Sequence, residues 1–540
     1  MFKIPVGDIG YSGSSHYGVV GGGSAESVQA GISILQKGGN AIDASVAIIL
    51  TLVVTDHGDC SIGGEVPIMI FDSKTKKVKV LCGQGRAPLS QVAIDWYMKN
   101  GIPGDGDIKM TPVPSVIDSC ITALKLYGTC TFADVVSYSI DLLDAGKDEW
   151  HPKLSHTLKR LVEEERIFEG SRCEKLQAVS DRFYGRHPDR NDIAQELEDD
   201  YIEKGGFLTV ADLASHHTTI EEPISTEYRG FTVFKCGPWT QGPFLCQALS
   251  LLKGFDLVEI GHLTADYVHL IIEAIKLAMS DRDYYYGDPD FVNVPLDLLL
   301  SDRYNDMRRE LIDMQIPSME ARPGDPYNMK PIKENSLFRP GLGGTTTCVV
   351  ADKWGNVVSA TPSANVPKSP RDGGKTGITF SNRLRMLNTT EGHPNCIEAG
   401  KRPRSTLTPT IVLKDDKPAF AFSVAGGDLQ DQVALNLIVN SIDFGMDPFQ
   451  AVTAPRFATL HHQDSFDPNP DREATFKISG SLMINKDFDN KVKESLVNRG
   501  HSIKISDKYI GRPVMLSINS NNGKMYVAGD PEGNRHAAGL

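Results

Sequence analysis

The chain has 540 residues, 40% hydrophobic and 23% charged, with a formal net charge of −13 at pH 7. That balance suits a folded globular enzyme and argues against general affinity for nucleic acid, which needs basic patches to displace counterions. The nine cysteines, spread from Cys60 to Cys396 without a Cys-x-x-Cys pair, read as buried or free thiols in a reducing compartment and exclude a zinc ribbon or thioredoxin-type site.

The amino terminus, MFKIPVGDIGYSGSSHYG, lacks the apolar core of a secretory signal. Ser27–Lys37 has helical spacing and stops at Gly38-Gly39, and Ala41–Val54 reads as a buried helix. Its most apolar part, Ala44–Val54, is too short to cross a bilayer, so a cytoplasmic location with no membrane partner is expected. PIMIFD and KVKVL form a hairpin around Ser73–Lys77, and Thr264–Asp288 closes a long helical middle. The segment from Pro323 to Gly344 reads as the least structured part, an exposed loop where cleavage is tolerated. Beyond it come three hairpins. Lys353-Trp354-Gly355 joins TTTCVVAD to NVVSAT, Asp415-Asp416-Lys417 joins PTIVLK to PAFAFSV, and Asn521-Asn522-Gly523 turns the last one. Gln430–Phe444 is a helix between the second and third. Length suits two to four domains or one large α/β unit.

GLGGTTTCVVAD, from Gly341 to Asp352, raises a chemical question. Thr and Val are good strand formers, but a chain cut at Gly344 would present an amino-terminal threonine. The α-amine of such a residue, with a pKa near neutrality, is the base that activates its own hydroxyl.

Six further motifs accompany it: ILQKGGNAIDASVA (Ile34–Ala47), SIGGEVPIMIF (Ser61–Phe71), DRDYYYGDPDFVNVP (Asp281–Pro295), KRPRSTLTPTIV (Lys401–Val412), SVAGGD (Ser423–Asp428) and AGDPEGNRHAAG (Ala528–Gly539). Together they resemble the γ-glutamyltranspeptidase family over nearly the whole chain. The resemblance implies an α/β fold, the four-layer αββα sandwich of amino-terminal-nucleophile (Ntn) hydrolases. It forms one unit made of two autoprocessed chains, residues 1–344 and 345–540. Anchored on Asp352, Gly355 and Asn356, it implies Thr345 as nucleophile, with a register shifted to Thr346 as the alternative. It places Ser363 at the second hydroxyl that orients the nucleophile. Gly426 and Gly427 fall on the oxyanion pair, where glycine lets amides point inward. Ser405 and Thr406 fall on two hydroxyls that hold a substrate carboxylate.

The match breaks at the ends of the substrate site. Where glutathione-using relatives carry a carboxylate-binding arginine, Gly83–Pro88 offers Gln84, which has no charge and no bidentate fork. Arg86 is two residues away and points elsewhere. Asn365 keeps a position that contacts an α-amino group, whereas Arg383 and Met386 replace a glutamine and an aspartate. The resulting expectation is an acyl group with a carboxylate and no amine, with Arg383 as its partner, as in the family's acylase-like branch. The alternative is that another arginine restores glutamate binding.

The expected protein is therefore a self-processing hydrolase or acyltransferase that passes an acyl group from a small amide to water or an amine. The resemblance implies no cofactor and no metal, and a heterodimer of the processed chains that further assembly could enlarge. The contrasting reading is a binding protein that keeps the scaffold and is never cut. Thr55–Cys60 and His461-His462 carry metal-ligand residue types but read as structural. Gly21–Ser24 reads as a helix entry, and Trp239, Gln241 and Tyr284–Tyr286 as packing residues.

Overall fold

A computed structural model describes residues 8–104, 106–146, 152–187, 189–332, 345–364 and 373–540. Two seven-stranded sheets hold most of the strands. The first runs, in spatial order, Ser12–Ser15, Met525–Gly529, Arg512–Ile518, Lys417–Ala425, Thr410–Lys414, Phe231–Lys235, Ile224–Tyr228. The second runs His536–Gly539, Gly18–Gly22, Cys348–Asp352, Val357–Ala360, Ile68–Asp72, Lys77–Cys82, Thr219–Glu221. Every pairing within these two sheets is antiparallel.

Side chains alternate across each strand, which divides the apolar residues among three cores. Val349 and Ala351 point to a core between the sheets, where they meet Ile411, Leu413, Val514 and Leu516. Their neighbour Val350 points the other way, into a core built with the helices Ala25–Gln36, Ala41–Thr55 and Val116–Tyr127. Val412 and Met515 likewise leave the first sheet for a core with the helices Gly242–Leu252, Ala265–Tyr285 and Gln430–Ile442. Central strands covered on both faces read as unbroken apolar runs, which is why CVVA and TIVL show no alternation in sequence. All residues of Ala41–Thr55 except its last are buried, as its uniform apolarity predicts.

The three late hairpins form where expected, and Asp415 and Asp416, at φ of 50° and 59°, make the left-handed two-residue turn of the second. The threonine triplet, however, precedes its strand, which begins at Cys348. Within Pro323–Gly344 the structure adds a small ribbon, Gly324–Asp325 paired with Lys330–Pro331; residues 333–344 lie outside the described part. All nine cysteines are free. Among the described residues no helix is long and apolar enough to cross a membrane.

Buried histidines give the fold an acid sensitivity. Burial holds His216 down to about 4 and His501 down to about 3. His501 Nε2 also lies 2.8 Å from His269 Nδ1, so the two rings share one hydrogen. Above about pH 6.5 these rings are neutral folded and unfolded alike, and they contribute no pH dependence. Below it the unfolded chain takes up protons that the native state refuses. Stability is therefore expected to fall as pH drops from about 6.5 toward the folded values, by up to about 1.4 kcal/mol per pH unit for each ring. Urea midpoints at pH 7.5, 6.0 and 5.0 check this, and His501→Gln should flatten the slope.

Candidate active site

Thr345 reaches its place by strand register. Cys348 sits opposite Ala360 in the hairpin, and the same register run three residues further sets Thr345 opposite Ser363. The backbone keeps to it, since Thr346 N donates to Pro362 O at 3.0 Å. Directly opposed residues present side chains on one face, and Thr345 Oγ1 lies 3.4 Å from Ser363 Oγ. Both residues are buried. The hairpin itself is locked by Asp352, whose carboxylate accepts from the Asn356 amide and from Ala41 N at the start of a helix.

The neighbouring threonines are disposed differently. Thr346 Oγ1 donates to Asp56 Oδ2 at 2.6 Å. That approach needs Gly23, because a Cβ there would sit 2.3 Å from both atoms. Thr347 Oγ1 is buried without a hydrogen-bond partner. The carbonyl of Thr345 accepts from Arg512 Nη2 at 2.7 Å and Arg535 Nη2 at 3.3 Å. These arginines pair in turn with Asp59 and Asp56, at 2.8 and 3.3 Å. The Thr55–Cys60 stretch thus supplies carboxylates that anchor the threonine segment.

Gly426 and Gly427 lie between the end of strand Lys417–Ala425 and the helix that starts at Gln430, with φ of 149° and 58°. The turn is pinned from behind. Asp428 pairs with Arg282 at 2.6 Å, Arg282 donates to Gln241 Oε1, and the Gln241 amide reaches Gly427 O at 3.4 Å. Burial would raise the Asp428 carboxyl, but Arg282, His462 and Lys477 together hold it well below the ordinary carboxylate range. Gln241 is therefore a support of this turn as well as a packing residue. The Gln430 amide turns its NH2 to the carbonyls of Thr406 and Val424, 3.0 Å each, which faces its oxygen toward Thr345 Oγ1 at 3.5 Å.

Ser405 and Thr406 adjoin the same turn, for Gln241 N donates to Ser405 O. Ser405 Oγ accepts from Leu407 N, whereas Thr406 Oγ1 is buried and unpartnered. Gln84 is buried too, its Oε1 unpartnered and its Nε2 on Gly85 O. It makes no hydrogen bond to the residues above, although its segment is tied through Gly83 O to Val66 N. Arg86 points elsewhere, as expected, to Gly400 O and Asp290. Asn365 lies outside the described residues.

Arg383 departs from expectation. It is fully buried, and instead of offering a free cation it gives Nε to Glu65 Oε1 at 2.6 Å and Nη2 to both Glu65 and Ser363 Oγ. Its Nη1 meets Met386 Sδ at 3.3 Å. Glu65 neutralises the charge on which a salt bridge to substrate would depend. Sequence reasoning missed Glu65, although a lone carboxylate inside SIGGEVPIMIF has to find a buried partner. Asp56 falls in Thr55–Cys60, read as structural, whereas Arg512, Arg535 and Gln430 were missed because no local pattern marks their contacts with Thr345.

Beside Gly426 and Gly427 opens a cavity of about 690 Å³ with Leu460, Phe466 and Met483 among its walls. Lys504 and Lys508, both exposed, also line it, and among the described residues neither has a carboxylate within ion-pair distance. His461 and His462, assigned no metal role from sequence, are buried, and His461 bonds to Glu320 O and Gly480 N.

A family model described as Gamma-glutamyltranspeptidase matches residues 27–174 and 149–540. The glutathione hydrolase-like YwrD proenzyme of Bacillus subtilis is 29% identical, over 95% of this chain and 96% of its own. The acylase ACY 1 proenzyme of a Pseudomonas strain is 28% identical, over 91% of this chain and 88% of its own. A crystal structure of cephalosporin acylase from Bacillus halodurans aligns with a TM-score of 0.79 at 26% identity, covering 100% of this chain and 98% of that one.

Proposed function

The chain belongs to the gamma-glutamyltranspeptidase family, whose members are hydrolases and transferases, and we propose that it cuts itself before Thr345 and then uses that threonine to break small amides. The observation that carries this reading is the buried Thr345 hydroxyl, facing Ser363 and Gln430. Thr346, already committed to Asp56, is the poorer nucleophile. In processing, Thr345 Oγ1 attacks the carbonyl of Gly344. The Gly344–Thr345 C–N bond breaks as the acyl group moves to oxygen, which frees the Thr345 amine. Water then hydrolyses the ester to give back the Thr345 hydroxyl and leave Gly344 as a carboxylate. In turnover that amine takes the hydroxyl proton as Oγ1 attacks the substrate carbonyl. The N–H groups of Gly426 and Gly427 stabilise the oxyanion. The amine then returns the proton to the departing amine, and water or an acceptor amine resolves the acyl ester. Residues 1–344 and 345–540 form the large and small chains of one αββα unit, a reading supported by the two sheets and the helical cores outside them. An unprocessed wild type without amidase activity would instead mark a binding protein.

The acyl group is read as anionic and without an α-amine. Each carboxylate next to the site already has a cation: Asp56 has Arg535, Asp59 has Arg512, Glu65 has Arg383 and Asp428 has Arg282. Among these residues no carboxylate is left to hold an ammonium, whereas Lys504 and Lys508 leave the cavity rim positive. Intact-mass measurement of the purified protein should give two masses divided between residues 344 and 345. A glutaryl amide should then be hydrolysed faster than the matching γ-glutamyl amide. Lys504→Glu with Lys508→Glu should raise KM for the glutaryl donor about tenfold and leave a neutral acetyl donor unchanged, the difference shrinking in high salt. Preference for the γ-glutamyl donor would overturn the des-amino reading and leave the nucleophile standing.

A further inference from the structure

Arg383 and Glu65 are bonded to each other, and Arg383 to Ser363, the residue opposite Thr345, which is more than packing asks of them. Glu65 and Ser363 exchange two backbone hydrogen bonds, 2.9 Å each way, so their side chains leave on one face. Between them lies the Arg383 guanidinium. Glu65 Oε1 takes Nε and Nη2, Ser381 Oγ donates to Glu65 Oε2 at 3.0 Å, and Nη2 also reaches Ser363 Oγ. Glu65, Arg383 and Ser363 are all 0% exposed. The far side of the guanidinium stacks near Phe466, 5.7 Å from the ring centre.

We infer that Glu65 and Arg383 are positioning residues that act on Thr345 through Ser363, an inference that rests on Thr345 being the nucleophile. A serine oxygen that accepts a charge-assisted bond from a guanidinium keeps its own hydrogen for another partner. Thr345 Oγ1, at 3.4 Å, is the acceptor this orientation serves. Such a donor matters at two moments. When Oγ1 gives its proton to the α-amine, negative charge gathers on Oγ1 before the new C–O bond forms. When the acyl ester breaks, the same oxygen departs carrying that charge. Ser363 keeps its proton throughout and stabilises both states by hydrogen bonding. The cation behind it makes that hydroxyl a stronger donor, and Glu65 fixes the fork so that Nη2 cannot swing away. Burial pushes the Glu65 carboxyl above its ordinary value, and the Arg383 guanidinium and Ser381 hydroxyl pull against that rise.

The test uses the full chain. Arg383→Lys keeps a charge opposite Glu65 but lacks the second arm that reaches Ser363. It is expected to lower kcat and the rate of self-cleavage about 10- to 100-fold, less than removal of a direct oxyanion donor, with KM within about twofold. Ser363→Ala should show a loss of similar size. The double variant should be no slower than Ser363→Ala alone, because both changes break one path. Glu65→Gln with Arg383→Met removes both charges together, a change that buried pairs often tolerate. It should fold and show the same loss in kcat, which keeps the test decisive if Arg383→Lys does not fold. Wild-type kcat in Arg383→Lys, or losses that multiply in the double variant, would overturn the positioning role alone. A raised KM for anionic donors at unchanged kcat would do the same and make Arg383 a substrate-binding residue. An uncut, inactive wild type would overturn the nucleophile and this inference together.

Discussion

Thr345→Ala is expected to remain a single 540-residue chain with amide hydrolysis at least about 10³-fold below wild type. The substitution removes the one hydroxyl that faces Ser363 and the Gln430 amide. No neighbour takes over, because Thr346 Oγ1 is bound to Asp56 with its position fixed by Gly23. Thr347 is held beyond it at the start of the strand. Moving Thr346 into the nucleophile's place would shift the hairpin register by one residue and turn every side chain from Cys348 to Asp352 to the opposite face, Val350 into the core between the sheets and Val349 out of it. Thr346→Val should consequently be cut and active, with a stability loss from the hydrogen bond that Asp56 Oδ2 gives up while keeping Arg535. Mass spectrometry of the two variants, followed by the donor assay, decides the point. A cut Thr345→Ala chain would remove Thr345 from the reaction.

Gly427→Ala is the second large effect. At φ 58° an alanine costs about 1–2 kcal/mol, and its Cβ would meet the Phe466 ring at 2.9 Å. The backbone relieves this by turning the very peptide whose N–H is proposed to hold the oxyanion. A loss in kcat of about 10²–10³ is expected, the scale of one lost oxyanion donor, with KM changed far less. The turn borders a cavity, so the chain should still fold. Steady-state kinetics beside a melting curve checks it, and a variant with wild-type kcat would place the oxyanion elsewhere.

Much of the scaffold was legible. CVVAD and TIVLK are apolar without alternation because both faces of their strands are covered, and Asp415-Asp416 announces its turn through residues that tolerate positive φ. Thr345 and Ser363 were named by the family resemblance, and the hairpin turning at Lys353-Trp354-Gly355 sets them opposite each other. What escaped depends on contacts across hundreds of residues. Arg383 read as a substrate partner because its counter-charge, Glu65, is 318 positions away in sequence. Arg512 and Arg535, near the end of the chain, reach the carbonyl of Thr345 by tertiary packing that no periodicity encodes. The start of the strand at Cys348 rather than Thr345 was hidden because threonine favours strands wherever it stands.

The spatial order of the strands has a further consequence. In one sheet Cys348–Asp352 lies beside Gly18–Gly22, and Val357–Ala360 beside Ile68–Asp72; in the other, Thr410–Lys414 lies beside Phe231–Lys235. Each sheet is thus laced from both sides of the 344/345 bond. A cut at that bond leaves two polypeptides that cannot part like ordinary subunits, since separation would unzip both sheets at once. Holding together requires no tether, but reassembly does. Once unfolded, the fragments must find each other by diffusion, and a search that was intramolecular becomes dependent on concentration. The uncut chain alone can regain the fold at any dilution, so a cut at 344/345, as proposed, would be a one-way commitment to the assembled state.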